Sequence, residues 1–95
     1  MLKVATLPAN RLVEARGAVL RPGKLPSEGE TLSGLLRKTG TSSIANLKAV
    51  HLTRIEGSRV TTSTHDLTKI RAGKAKDVPL KGGDVVEVEY RVRVS

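Results

Sequence analysis

Apolar and polar positions alternate most cleanly near the end of the chain. Val86, Val88, Tyr90, Val92 and Val94 fall on one side, and Glu87, Glu89, Arg91 and Arg93 on the other. That period of two predicts a half-buried strand. A second alternation begins at Val13, with Ala15, Gly17 and Val19 on one face against Glu14 and Arg16. A glycine inside a strand marks a bulge or a close backbone approach, and Gly17 takes that reading. Arg21-Pro22-Gly23-Lys24 then places proline second and glycine third, the pattern of a type II turn leading to a short strand.

The period changes at GETLSGLLRKTG. Leu32, Leu35 and Leu36 form one apolar stripe at i, i+3 and i+4, which predicts a helix. Thr31 is its N-cap, Arg37 and Lys38 suit the dipole in its last turn, and Gly40 takes a left-handed position after its end. Ser27 to Glu30 also fits a capping box, but no apolar stripe follows in that register. Gly34 in mid-helix costs about 1 kcal/mol relative to Ala and suggests close packing on a sheet. Ala49 to Ile55 and Val60 to Thr64 read as a hairpin turning at Glu56-Gly57-Ser58, its second arm rich in β-favouring threonine. Asp66 caps a short helical turn through Leu67 and Ile70 that ends at Gly73. GKAKDVPL is a loop, and Leu80 to Asp84 a tight turn in which Gly82 and Gly83 are free to take positive φ. Strand, turn, short strand, helix, hairpin, helical turn, strand is an α+β order. A β-grasp satisfies it: a mixed sheet of four or five strands with one main helix packed across.

Composition narrows this picture. The chain has 95 residues, enough for one small domain, and Tyr90 is its single aromatic residue. The core must therefore come from Val, Leu, Ile and Ala. There is no cysteine, which excludes disulfides and thiolate metal sites. Lys and Arg number 17 against 9 Asp and Glu, a formal charge of +8. Such a charge points either to an acidic partner (nucleic acid, anionic polysaccharide or lipid) or to a plain solvated surface. No run approaches the ~20 apolar residues of a membrane span. MLKVATLPAN lacks the apolar core of a signal peptide. Because the last strand stops in full alternation, the chain is expected to be part of a longer protein.

Few residues suggest chemistry. His51 and His65 are the only histidines, and with no cysteine they read as ordinary strand and turn positions. There is no GxSxG elbow, and KGGDVV runs into a strand, so it is not a phosphate loop. Gly82-Gly83 sits inside a turn, unlike the free C-terminal Gly-Gly of a ubiquitin-like carrier. The expectation is a protein that is not an enzyme and needs no cofactor or metal. Lys69, Arg71, Lys74, Lys76 and Lys81 cluster along one stretch, with only Asp77 opposing them after the cap, and are the candidate contacts for a polyanion. Without aromatics to stack bases, nucleic acid would be held by backbone electrostatics alone.

Taken together, VEARGAVLRPGKL, GETLSGLLRKTG, ANLKAVHLTRIEG, HDLTKI and VPLKGGDVVEVE resemble, in order and spacing, the SLBB (soluble ligand-binding β-grasp) domain, over about residues 12–89 of a single domain 1–95. Gly17, Pro22, Gly23, Gly40, Gly82, Gly83 and Asp84 carry over as structural turn positions. The resemblance implies a β-grasp fold and a parent among the polysaccharide export proteins. The expected partners are then other domains or subunits of an export assembly and an anionic polysaccharide, in the periplasm or at the outer membrane. Two departures stand out. The family often has Ala-Gly-Gly after the helix, where this chain has Lys38-Thr39-Gly40, and it often closes its last strand on Val-Pro. GETL, the late Leu-x-x-Gly-Asp turn and the charge also resemble the TGS domain of RNA-handling enzymes. That alternative implies a cytoplasmic, nucleic-acid-binding accessory domain. A purely structural interaction module using an open sheet edge is the third reading.

Overall fold

A computed structural model describes residues 11–91. The first ten residues lie outside the described part, as do Val92, Arg93 and Val94, which the alternation assigns to the last strand. The elements in order are β1 (Leu12–Gly17), β2 (Gly23–Pro26), α1 (Leu32–Thr39), β3 (Ala45–Glu56), β4 (Arg59–His65), α2 (Leu67–Arg71) and β5 (Val85–Tyr90). They form one five-stranded sheet in the order β2-β1-β5-β3-β4. β5 is central, parallel to β1 and antiparallel to β3, so the hairpins β1–β2 and β3–β4 flank it. The first and last strands side by side, with a helix crossing between two hairpins, make the fold a β-grasp.

The leucine stripe builds the core as its spacing predicts. Leu32, Leu35 and Leu36 are fully buried against Val13, Ala15, Val50, Val86 and Val88 on one face of the sheet. Leu67 of α2 and Leu80 of the following loop close the core beside them. Thr31 caps α1, its hydroxyl oxygen accepting from the Gly34 N–H at 3.1 Å. At Gly17 β1 lies close against β5. A Cβ there would lie 2.3 Å from the Val88 carbonyl oxygen, and its φ of 86° disfavours any side chain.

Several local expectations need correction. Gly23 is not the third residue of a type II turn, which needs φ near +80°. Its φ is 151°, and it opens β2 opposite Ala15. The chain between β1 and β2 instead swings out to the end of α1. There Val19 bridges Thr41, and Leu20 and Arg21 donate to the carbonyls of Gly40 and Thr39. Gly40 takes φ 72° but ψ 158°, an extended conformation open essentially only to glycine, rather than the left-handed helical one. This lets the chain leave the helix extended and meet Val19. Gly34 does not pack on the sheet. It makes room for the buried side chain of Glu30, whose Oε1 would stand 2.6 Å from an added Cβ. Ser27 to Glu30 is a turn, with Glu30 N–H donating to Ser27 C=O at 3.0 Å. Of the Gly82-Gly83 pair only Gly83 has positive φ.

Tyr90 is not core. It is 52% exposed, and its hydroxyl donates to the Gly17 carbonyl at 3.3 Å. Alternation set its side of the sheet correctly with Val86 and Val88. However, α1 has eight residues and is about 12 Å long, too short to cover the strand's end. β3 is also longer than its apolar run suggested. It starts at Ala45, opposite Tyr90, and its register shifts before Val50. At the other end Ile55 and Glu56 run past β5, whose pairing with β3 stops at Thr53–Val85. The hairpin tip thus projects beyond the body of the sheet.

Candidate polyanion-binding surface

The basic stretch is held by backbone chemistry at both ends of α2. Asp66 caps the helix, its carboxylate accepting from the N–H groups of Thr68 and Lys69 and from the Thr68 hydroxyl. These bonds, the Thr68 hydroxyl first, hold the Asp66 carboxyl below its ordinary pKa against the opposing desolvation. At the far end Gly73 N–H donates to Ile70 C=O and Lys74 N–H to Lys69 C=O, the paired bonds of a Schellman motif. The chain then returns to the core. Leu32 N–H donates to Val78 C=O and Leu80 N–H to Glu30 C=O, which ties the loop to the start of α1.

Lys69 and Arg71 project from α2, and Lys74 and Lys76 from the loop after it; all four are exposed. Among the described residues none of the four forms a salt bridge. Asp77, the acid expected to oppose them, faces elsewhere. Its carboxylate accepts from the Ser33 N–H at 3.1 Å, from the Ser33 hydroxyl and from the Val78 N–H at 2.9 Å, so it serves the first turn of α1. Desolvation pushes the Asp77 pKa up, but the bonds from Ser33, Val78 and Thr31 outweigh it and leave the pKa below its ordinary value. Lys81 stands apart from the four, at the turn before β5, and faces Glu56 at 3.5 Å.

Tertiary structure adds two cations that the linear cluster missed. Where β3 is irregular, Ala45, Asn46, Leu47 and Lys48 form a shallow open hollow with Thr68 of α2 and Arg91. No acid lines it, and its two cations, Lys48 and Arg91, make no salt bridge among the described residues. Arg91 is steadied by donating from Nη2 to the Ser43 carbonyl at 3.0 Å. Positions 48 and 91 come together through sheet register and position 68 through the packing of α2 on β3, so nothing in their spacing announces the site.

The turn carrying Gly82, Gly83 and Asp84 is internal structure. Asp84 is 1% exposed, and its carboxylate accepts from Arg54 Nε at 3.1 and 3.3 Å, from Arg54 Nη2 at 2.8 Å and from the Lys81 N–H at 2.8 Å. The Arg54–Asp84 bonds first, with the charges of Asp84 and Glu56, raise the Arg54 pKa over the opposing desolvation. Gly83 N–H and Asp84 C=O bond to Leu12 and Glu14 of β1, so the turn sets β5 against β1. Pro22 lies exposed in the β1–β2 connection.

A scan against models of known protein families finds no match, and no curated protein matches the chain. His51 bonds Thr64 and Glu89 on the solvent face, and His65 bonds the Ser63 hydroxyl at 2.8 Å. Among the described residues no three His, Cys, Asp or Glu side chains gather as metal ligands. Among the same residues no helix is long and apolar enough to cross a membrane.

Proposed function

We propose that this β-grasp domain is a non-enzymatic module of SLBB type. It would belong to a cell-envelope polysaccharide-export protein, acting in the periplasm or at the outer membrane, where its basic face contacts an anionic glycan. The motif order gives the family expectation. The carrying observation is the surface around α2, where Lys69, Arg71, Lys74 and Lys76, with Lys48 and Arg91 in the adjoining hollow, lack salt-bridge partners among the described residues. Exposed cations without salt-bridge partners around one helix of a +8 domain attract a polyanion, and an open, shallow hollow without aromatics suits carboxylates better than stacked bases.

Affinity electrophoresis through polygalacturonate, neutral dextran and single-stranded RNA tests this reading. Retardation by polygalacturonate is expected, weakening as salt rises and lost in Lys74→Glu/Lys76→Glu, with no effect of dextran. Tighter binding to RNA than to polygalacturonate at every salt concentration would replace it with the nucleic-acid reading. Unaltered retardation of the double variant would refute the site.

A further inference from the structure

We propose that the outer edge of β4 is a docking site for an extended acidic polypeptide, which adds to the sheet as a sixth strand. The inference goes beyond the polyanion surface and uses none of its residues. Among the described residues β4 is the last strand of the sheet and pairs only with β3, through an unbroken register from Val50–His65 to Glu56–Arg59. The hairpin turns on Gly57 and Ser58, so Glu56 and Arg59 are its hydrogen-bonded closing pair. Bonding alternates from there. Arg59, Thr61, Ser63 and His65 direct their N–H and C=O groups to β3, while Val60, Thr62 and Thr64 direct theirs outward. The edge therefore offers three donors and three acceptors in strand geometry.

The two edges of this sheet are built differently. β2 has four residues and carries Lys24 and Pro26, both devices that discourage strand addition. β4 has seven residues with no lysine, no proline and no bulge. Its side chains are chiefly Thr61, Thr62, Ser63 and Thr64, small enough to lie beside a neighbour of any size, and the threonines are β-favouring. Cross-strand bonds hold it straight: Thr53 to Thr62, and His51 to Thr64 at 3.0 Å. Near the tip, Ile55 and Val60 face each other across the hairpin at 57% and 61% exposure. They form an apolar spot for one side chain of the added strand.

Charge selects the occupant. β4 contains Arg59 and no acid. A second copy would bring +8 against +8. An acidic segment with an apolar residue to face Val60 satisfies both the charge and the spot. Backbone pairing supplies affinity, and the alternate side chains supply selectivity.

Fluorescence anisotropy with three labelled seven-residue peptides tests the proposal: alternating Glu and Val; the same sequence N-methylated at every backbone amide; and alternating Gln and Val. The second keeps the charge and removes the donors along both edges. The Glu peptide is expected to bind. N-methylation and the Gln replacement should each weaken it about tenfold or more, the factor that corresponds to one or two net hydrogen bonds. Thr62→Pro should weaken it similarly while leaving the thermal midpoint near wild type, because the Thr62 N–H faces solvent. Equal binding of the N-methylated peptide would show charge attraction without strand pairing and overturn the proposal. Equal binding of the Gln peptide, or no binding of the Glu peptide at 1 mM, on the order of the weakest affinity worth calling specific, would also overturn it. So would a concentration-dependent dimer abolished by Thr62→Pro, which would make the occupant a second copy.

Discussion

The Arg54–Asp84 pair should be energetically lopsided. The two residues share three hydrogen bonds, but their surroundings differ: the Asp84 side chain is 1% exposed and that of Arg54 24%. Asp84→Asn removes the negative charge and leaves a guanidinium that can turn to water and still donate to the Pro79 carbonyl. The loss is that of charged hydrogen bonds, about 1.5–3 kcal/mol. Arg54→Met keeps the covering stem and leaves a buried anion held only by the Lys81 N–H. Stranding a buried charge costs about 3–5 kcal/mol. In the double variant neither charge remains, so its cost should fall short of the sum by a coupling of about 1–3 kcal/mol. Urea unfolding at pH 7 measures all three. With a slope near 1 kcal/mol/M, the single variants should separate by about 2 M in midpoint. An Asp84→Asn variant as unstable as Arg54→Met, or strictly additive single costs, would refute the reasoning.

Gly17→Ala should be far worse than Gly57→Ala, although both sites have positive φ. At Gly57 the new methyl meets nothing within 4 Å, leaving a conformational cost of about 1–2 kcal/mol. At Gly17 it strikes the Val88 carbonyl, adding about 1–3 kcal/mol as β1 and β5 are forced apart; similar thermal midpoints for the two would contradict the packing. Asp77, with its folded pKa held low, stabilises above its unfolded value of about 3.9 and loses that contribution as pH falls through the lowered one. The stability gap between wild type and Asp77→Asn should therefore be steady from pH 7 to about 5 and close in more acid solution, and a gap that widens below pH 4 would reverse the sign. Thr31→Ala should cost about 1 kcal/mol with the fold intact by circular dichroism; no loss would mean that the cap bond to Gly34 is idle.

Local chemistry made much of the fold legible. The Leu32, Leu35, Leu36 stripe, the Thr31 and Asp66 caps and the strand alternations each involve residues a few positions apart. Legibility failed where the outcome depended on distant chain. Tyr90 sits on the side of the sheet that alternation predicts, but its burial depended on the reach of α1. Gly23 and Gly40 took conformations imposed by the meeting of the β1–β2 connection with the helix end. Gly34 answered to Glu30 and not to the sheet. The candidate surface shows the same division. Lys69 to Lys76 were visible as a run, whereas Lys48 and Arg91 joined them only through register, and Asp77 left them for a serine 44 positions away.

The central place of β5 has a consequence for synthesis. A chain emerging N-terminus first can close the β1–β2 hairpin, wind α1 and pair β3 with β4 early, because those contacts are local. None of these pieces can join another through the sheet until Val85–Tyr90 arrives, since β5 is the strand that bridges β1 and β3. Until then Val13, Ala15, Val50 and the α1 leucines have no common wall, and the β4 edge is open beside an equally unpaired β3. Non-local closure of this kind is slow, and its precursors are prone to aggregate. A nascent chain stalled before residue 85 should therefore be digested readily by protease, and one released after residue 90 should resist, with a sharp boundary between them.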